Sequence, residues 1–162
     1  MTKKADFIKA INEGYASKGE SIVLGAALLD GEAISEAQVK IPLKTLNRHG
    51  LIAGATGTGK TKTIQVLSEQ LSSFGIPVLM MDIKGDFSGI AAVGEEKSFI
   101  TERHAKIGIP YQVSNFPVEL LTLSQQNGIR LRATVSEFGP VLFSRILDLN
   151  DTQSGVISVI FK

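Results

Sequence analysis

Residues 54–61 have the types and the spacing of a phosphate-binding loop. They read Gly-Ala-Thr-Gly-Thr-Gly-Lys-Thr and match the pattern G-x-x-x-x-G-K-[ST] in full. The glycines let the backbone turn tightly, so that successive N–H groups face one concavity in which phosphate oxygens bind. Lys60 would reach the β- and γ-phosphates, and the Thr61 hydroxyl would take one place in a magnesium shell completed by phosphate and water.

The motif predicts a nucleotide site with one catalytic residue, Lys60, and one metal ligand, Thr61. The alternative is a glycine-rich turn with a solvated lysine, which the position between an apolar run and a helix disfavours. The predicted nucleotide contacts of this loop are Gly54, Ala55, Thr56, Gly57, Thr58, Gly59, Lys60, Thr61 and Lys62.

A second cluster of chemically capable residues follows the apolar run at residues 78–81. Asp82 ends the run and is followed by Ile-Lys-Gly-Asp. An aspartate in this place resembles the Walker B residue that holds magnesium in phosphate-transferring proteins. Asp82 to Gly85 also fits the D-x-x-G of GTPases, although the sequence has no N-K-x-D, and a plain turn at a strand end is the third interpretation. We include Asp82 among the predicted nucleotide contacts.

Composition limits the classes of protein that these motifs can belong to. The 162 residues include 17 Lys or Arg and 16 Asp or Glu, and 43% are hydrophobic, which is typical of one globular domain. Because the sequence has no Cys, it excludes a disulfide framework, a thiolate zinc site and a cysteine nucleophile. The net charge of +1 argues neither for nor against nucleic acid as a partner. The best apolar run, residues 22–29, is too short to span a bilayer, so we expect a cytoplasmic protein without a membrane partner.

The elements that must position the motifs alternate between helix and strand. Residues 50–53 and 78–81 are short apolar runs on either side of an amphipathic helix that begins at Lys60 and stops at Gly75. This order predicts a β-α-β unit, and hence an α/β fold with a parallel sheet flanked by helices.

The remaining elements are predicted from turns, caps and periodicity. Asp30-Gly31 predicts a turn between strands at 22–29 and 38–43, and Asn127-Gly128 predicts a β-hairpin over 118–135. A further short strand is predicted at residues 111–113. The predicted helices lie at residues 5–13, at 95–107, from Gly139-Pro140 to Leu149, and from a cap at Asp151 towards the C-terminus.

Several longer strings resemble one family of motor ATPases. Residues 48–61 (R-H-G-L-I-A-G-A-T-G-T-G-K-T), followed by residues 81–86 (M-D-I-K-G-D), resemble the HerA/FtsK superfamily. The resemblance is closest to the bacterial HerA-like ATPases of the YjgR type. Its strings are residues 81–91 (M-D-I-K-G-D-F-S-G-I-A), 134–142 (T-V-S-E-F-G-P-V-L) and 149–156 (L-N-D-T-Q-S-G-V).

This resemblance implies a RecA-like P-loop NTPase core that binds ATP and Mg²⁺, in a homo-oligomer that is a hexamer in the family. It also implies ATP hydrolysis coupled to the movement of DNA. Family members are longer, and an apolar helix is still being formed at Lys162. We therefore expect residues 1–162 to be the N-terminal part of an incomplete RecA-like domain, with residues 1–49 as a helix and strand segment that leads into the P-loop.

In this superfamily the Walker B Asp-Glu pair lies on a later strand, and the sequence has no apolar strand ending in Asp-Glu. We therefore expect the Walker B pair, the catalytic glutamate and the arginine finger to lie outside these residues, and Asp82 to lie near the nucleotide without binding the metal. Two alternatives to an ATPase motor stay open. One is a P-loop phosphotransferase, and the other is a nucleotide-dependent interaction module with little turnover.

Overall fold

The computed structural model describes residues 3–162, which fall into two units. The first extends to Val118, and the second comprises Glu119–Lys162. Both contain helices and one small sheet of two strands. The chain is therefore of mixed α and β structure, in agreement with the predicted fold class at that level.

An antiparallel hairpin forms the sheet of the first unit. Helix α1 (Lys3–Gly14) precedes the strands β1 (Ser21–Leu29) and β2 (Glu32–Pro42). The turn residues Asp30 and Gly31 have φ of 52° and 88°, and such positive values give the turn a twist that matches the strands. This confirms the predicted hairpin, although β2 begins six residues earlier than the sequence pattern indicates.

Three helices pack against the hairpin. Helices α1 and α3 (Ser98–Ile107) contact β2, and α2 (Lys60–Ser73) contacts β1. The buried apolar side chains of the described residues belong to the two strands, and they are Ile22, Ile34 and Ala37. The hairpin is therefore the place where the P-loop helix α2 is attached to the rest of the first unit.

The segments on either side of α2 differ from the predicted β-α-β unit. The helix is confirmed, but residues 50–53 and 78–81 have no regular secondary structure, and neither does the predicted strand at residues 111–113. A strand needs a hydrogen-bonded neighbour, and no strand in residues 3–162 pairs with these segments. Alternate side chains of the second segment, Leu79 and Met81, are exposed, while Met80 between them is partly buried.

The second unit contains a parallel pair of two-residue strands, so the prediction of a hairpin over residues 118–135 is wrong. Strand β3 (Leu121–Thr122) and strand β4 (Ile129–Arg130) run in the same direction. The Ile129 N–H donates to the Leu120 carbonyl at 2.7 Å, and the Leu131 N–H donates to the Thr122 carbonyl at 2.8 Å.

Side-chain hydroxyls bond the backbone within the connection between the two strands. The Thr122 hydroxyl accepts from the Ser124 N–H, and the Ser124 hydroxyl accepts from the Gln126 N–H. These local bonds coil the connection, because hydroxyl groups compete with the regular backbone turn. Gly128, at φ 139°, lies far from the left-handed values near +57° that an Asn-Gly hairpin turn requires.

Two capped helices complete the second unit. Helix α4 (Val135–Ile146) begins four residues before the predicted Gly139, because Thr134 and Glu137 form a reciprocal capping box. The predicted start lies inside this range: Gly139 (φ 63°, ψ 171°) leaves the helical conformation, and a second helical stretch begins at Pro140, as the sequence indicates. The Thr134 backbone N–H, and then the Thr134 hydroxyl, hold the pKa of the Glu137 carboxyl below its ordinary value.

Helix α5 (Asp151–Ile160) confirms the predicted helix but corrects its cap. The cap is Asn150, whose side-chain oxygen accepts from the Gln153 N–H at 3.0 Å, while the Gln153 side chain accepts from the Asn150 N–H. Asp151 is the first residue inside the helix. The rings of Phe143 and Phe161 join α4 and α5, with centroids 5.9 Å apart. No helix within residues 3–162 is both long enough and apolar enough to cross a membrane.

Candidate nucleotide-binding site

The predicted phosphate loop immediately precedes α2. Gly57 and Gly59 have φ of 80° and 94°, and Gly59 is the N-cap residue of the helix. No side chain caps this end, so the first N–H groups of α2 remain available to a ligand. A helix N-terminus with free N–H groups carries partial positive charge and favours a bound anion.

Within the loop, the Thr58 side chain closely approaches the first glycine, Gly54. A Cβ built on Gly54 would lie 2.5 Å from the Thr58 hydroxyl oxygen. That hydroxyl donates to the Ala55 carbonyl at 2.8 Å, which ties the two ends of the loop together. The six residues from Gly54 to Gly59 are all exposed. The structure thus places these six predicted contacts in one exposed loop.

Lys60 lies over the same loop. Its ammonium group donates to the Ala55 carbonyl at 2.7 Å, and the side chain is partly buried. Thr61 is also partly buried, in the first turn of α2, whereas Lys62 is exposed. The lysine therefore already bends towards the concavity, with a neutral carbonyl as its acceptor.

Asp82 is held by its own loop. One carboxylate oxygen accepts from the N–H groups of Lys84 (3.2 Å) and Gly85 (2.8 Å), and the other accepts from the Phe87 N–H at 2.9 Å. The Phe87 N–H is the main cause of a pKa below the ordinary value for this carboxyl, and further backbone N–H groups add to the effect. In the structure the carboxylate thus shapes the loop at residues 82–87.

A buried polar stripe on α2 contacts this loop, and sequence reasoning did not identify it. Thr61, Gln65 and Ser68 are spaced i, i+4 and i+7, which places them on one helix face. The Gln65 side-chain amide donates to the Asp86 carbonyl at 3.0 Å, and the Ser68 hydroxyl lies 3.6 Å from the Met80 sulfur. The signal that could have revealed the stripe is its spacing from the P-loop threonine.

These contacts give the direction of the chain beside the helix. Met80 lies at Ser68, and Asp86 lies at Gln65, one turn nearer the P-loop. The chain from 80 to 86 therefore runs antiparallel to α2 and ends towards the phosphate loop. This is the direction in which the strand after a crossover helix runs in a β-α-β unit.

A second glutamine on α2 attaches the helix to the hairpin. The Gln70 side chain accepts from the Val23 N–H at 2.9 Å and donates to the Val23 carbonyl at 2.8 Å. An amide side chain here replaces the neighbouring strand that would otherwise satisfy the edge of β1. Gln65 and Gln70 therefore link the same helix to two different parts of the first unit.

His104 packs against its neighbours in the structure. A His104 ring nitrogen lies 3.1 Å from the Ile109 carbonyl, and the centroid of its ring lies 4.8 Å from that of Tyr111. Within residues 3–162 no group of three or more His, Asp or Glu side chains could hold a metal ion.

The residues present fit a nucleotide with magnesium. The fit rests on the uncapped N–H groups of α2, the glycine at position 54 and the inward Lys60. Magnesium in such sites takes most of its oxygen ligands from phosphate and water and only one or two from protein. Thr61, in the first turn of α2, is the residue that would supply the protein oxygen.

Comparison with known proteins identifies similarity to a DNA repair helicase and to a DNA import protein. The DNA double-strand break repair helicase HerA of Sulfolobus acidocaldarius is 42% identical over 53 residues, which are 33% of this chain and 11% of that protein. HerA of Sulfurisphaera tokodaii gives the same identity and coverage. The DNA import protein CedB of Sulfolobus acidocaldarius is 29% identical over 106 residues, 64% of this chain and 18% of that protein.

The matches to these relatives span less than a fifth of each relative's length. No solved structure matches the chain. The family described as Helicase HerA-like C-terminal matches residues 28–162, which is most of the chain. This confirms the resemblance to the HerA/FtsK type, while the assignment to the bacterial YjgR type stays a prediction. The chain belongs to the Helicase HerA-like C-terminal family.

Proposed function

We propose that the chain is the ATP- and Mg²⁺-binding P-loop segment of a HerA-like motor ATPase, which hydrolyses ATP in the intact protein. The observation that carries the proposal is the loop at residues 54–61, where the full motif, two left-handed glycines and the uncapped start of α2 occur together. The membership in the HerA-like family supports the same activity.

In this proposal the ligand replaces contacts that the loop makes within itself. Lys60 would exchange the Ala55 carbonyl for phosphate oxygens, which are better acceptors because they are charged. The N–H groups at the start of α2 would donate to the same phosphates, and the Thr61 hydroxyl would hold the metal. Bound magnesium supplies positive charge that stabilises the phosphates during in-line attack by water.

We also propose a RecA-like core for the segment. The contacts of Met80 with Ser68 and of Asp86 with Gln65 support it, since the later residue lies nearer the P-loop. Residues 1–162 would then form the N-terminal part of such a domain, with residues 1–49 leading into the P-loop. The parallel sheet would form where residues 50–53 and 78–81 gain neighbouring strands.

DNA translocation and a hexameric homo-oligomer belong to the proposal for the intact protein. Both are supported by the family and by two relatives, one a DNA repair helicase and the other a DNA import protein. A cytoplasmic location stays a prediction from the sequence.

A second candidate function is a nucleotide-dependent interaction module with little turnover. The sequence favours it in one respect, because these residues contain the phosphate loop but no Asp-Glu pair of the Walker B kind. The two candidates share the same nucleotide site and differ in the rate of hydrolysis.

Calorimetric titration of ATP–Mg²⁺ into the Lys60→Ala variant tests the nucleotide site. Loss of a charge-assisted phosphate contact should weaken binding by about 2 to 3 kcal/mol, or roughly 30- to 150-fold. The domain should stay folded, because the Ala55 carbonyl keeps the Thr58 hydroxyl as a donor. Lys106→Ala, which removes an exposed lysine from α3, is the control. Equal affinity of Lys60→Ala and the unaltered protein would refute the site.

A further inference from the structure

Gln65 lies on helix α2, close to the residues of the proposed nucleotide site. It lies one turn after Thr61 on the same face, and its side chain is only 8% exposed. A buried amide needs partners, and the described partner of its NH₂ group is the Asp86 carbonyl. One buried side chain therefore connects the turn that carries the proposed metal ligand to the loop at residues 82–87.

That loop is fixed in two places. From within, the Asp82 carboxylate holds the N–H groups of Gly85 and Phe87. From outside, in the part of the chain that the structure describes, the Gln65 amide of α2 donates a hydrogen bond to the Asp86 carbonyl at the far end of the loop. The side chains of Lys84 and Asp86 are exposed, so the loop carries one positive and one negative charge at the surface. The position of both charges depends on the loop backbone, which is bonded to α2 through Gln65.

We propose that Gln65 is a positioning residue that couples the loop at residues 82–87 to the nucleotide site. Binding of Mg²⁺–nucleotide at Lys60 and Thr61 fixes the first turn of α2, and Gln65 transmits this order to the loop. Coupling of this kind is reciprocal, so a loop that loses its attachment lowers the affinity for nucleotide by the same factor. This inference rests on the proposed nucleotide site.

Gln70 provides a matched comparison on the same helix. It makes two hydrogen bonds to Val23 of β1, whereas Gln65 contacts the loop. Methionine is close to glutamine in length and in helix propensity but has no N–H donor. Gln65→Met and Gln70→Met therefore remove the same chemical group from two different connections.

The test combines amide hydrogen exchange with titration of the non-hydrolysable analogue AMP-PNP and Mg²⁺. In the unaltered protein we expect the analogue to slow exchange at the Gly85 and Phe87 amides. Gln65→Met should remove this protection and weaken analogue binding by about three- to tenfold, the effect of one buried hydrogen bond. Gln70→Met should speed exchange in β1 and leave analogue affinity within about twofold.

Two results would contradict the role proposed for Gln65. Equal effects of the two methionine variants would reduce Gln65 to a structural role, and unchanged exchange at Gly85 and Phe87 on analogue binding would also overturn it. If Gln65→Met does not fold, the role of Gln65 is tested instead with the Gln65→Glu variant and with amide exchange in the unaltered protein. A Lys60→Ala variant that still binds the analogue would instead refute the nucleotide site, which keeps the two failures distinct.

Discussion

The Asp82 carboxylate receives N–H groups from three residues of the loop that follows it. Such bonds stabilise the charged form, which is the cause of the lowered pKa. At the scale of single residues, this aspartate acts first on the backbone conformation of residues 82–87.

The lowered pKa of Asp82 gives a pH prediction with a definite sign. Because the folded pKa lies below the unfolded one, the carboxylate stabilises the loop above the unfolded pKa, near 3.9, and this contribution is lost as pH falls through the lower folded value. We expect the amide proton shifts of Gly85 and Phe87 to move together below about pH 4. NMR titration measures this directly.

Asp82→Asn is the control for that titration, since the amide does not ionise in this range. The movement of both amide signals should then disappear. Glu36 and Glu137 also have lowered pKa values, so the global stability curve mixes several groups, and the loop signals are the specific readout. The same movement of both amide signals in Asp82→Asn as in the unaltered protein would contradict the hydrogen bonds of Asp82.

At the scale of elements, two adjacent polar residues at the start of helix α5 have different roles. Asn150 caps α5, and Asp151 begins it. Replacing a capping asparagine with alanine costs about 1 kcal/mol, because an N–H group at the helix start loses its acceptor. Asn150→Ala should therefore destabilise the protein by about that amount in urea unfolding. Asp151→Ala should cost roughly half as much or less, through the helix dipole alone. The reverse order would restore Asp151 as the cap.

Helices were predictable from the sequence because their signals are local. Gly108 ends α3 with φ 68°, and the periodicity of α2 and its stop near Gly75 agree with the observed helix. Strand pairing depends on distant residues, and there prediction was weaker. Asn127-Gly128 had the composition of a hairpin turn, but Gly128 has φ 139° and the strands on either side pair in parallel.

The phosphate loop could be predicted because its chemistry lies in one contiguous stretch. The glycines and Lys60 are within eight residues of each other, and the local backbone alone brings them together. The partners of Gln65 and Gln70 could not be predicted, because they lie 21 and 47 residues away in the sequence. A polar residue that serves a distant carbonyl looks, in the sequence, like any exposed side chain of an amphipathic helix.

At the scale of the whole molecule, nucleotide binding and turnover have different requirements. Binding needs the loop, Lys60 and Thr61, all of which these residues contain. Hydrolysis also needs an acid that positions water, and commonly an arginine that stabilises the transition state. The sequence has no Asp-Glu pair of the Walker B kind, and the Asp82 carboxylate is used within its loop.

We therefore expect a protein of these 162 residues to bind ATP–Mg²⁺ but to hydrolyse it slowly. An arginine finger alone changes the rate by roughly 10³ to 10⁵, so phosphate release should be at least about a thousandfold slower than from a complete HerA-type ATPase assayed in parallel. Added DNA should not raise the rate, since DNA supplies neither an acid nor an arginine. Lys60→Ala measures the background of the assay. A rate within about tenfold of the complete ATPase would mean that Asp82 or Asp86 leaves its loop contacts and acts as the catalytic acid.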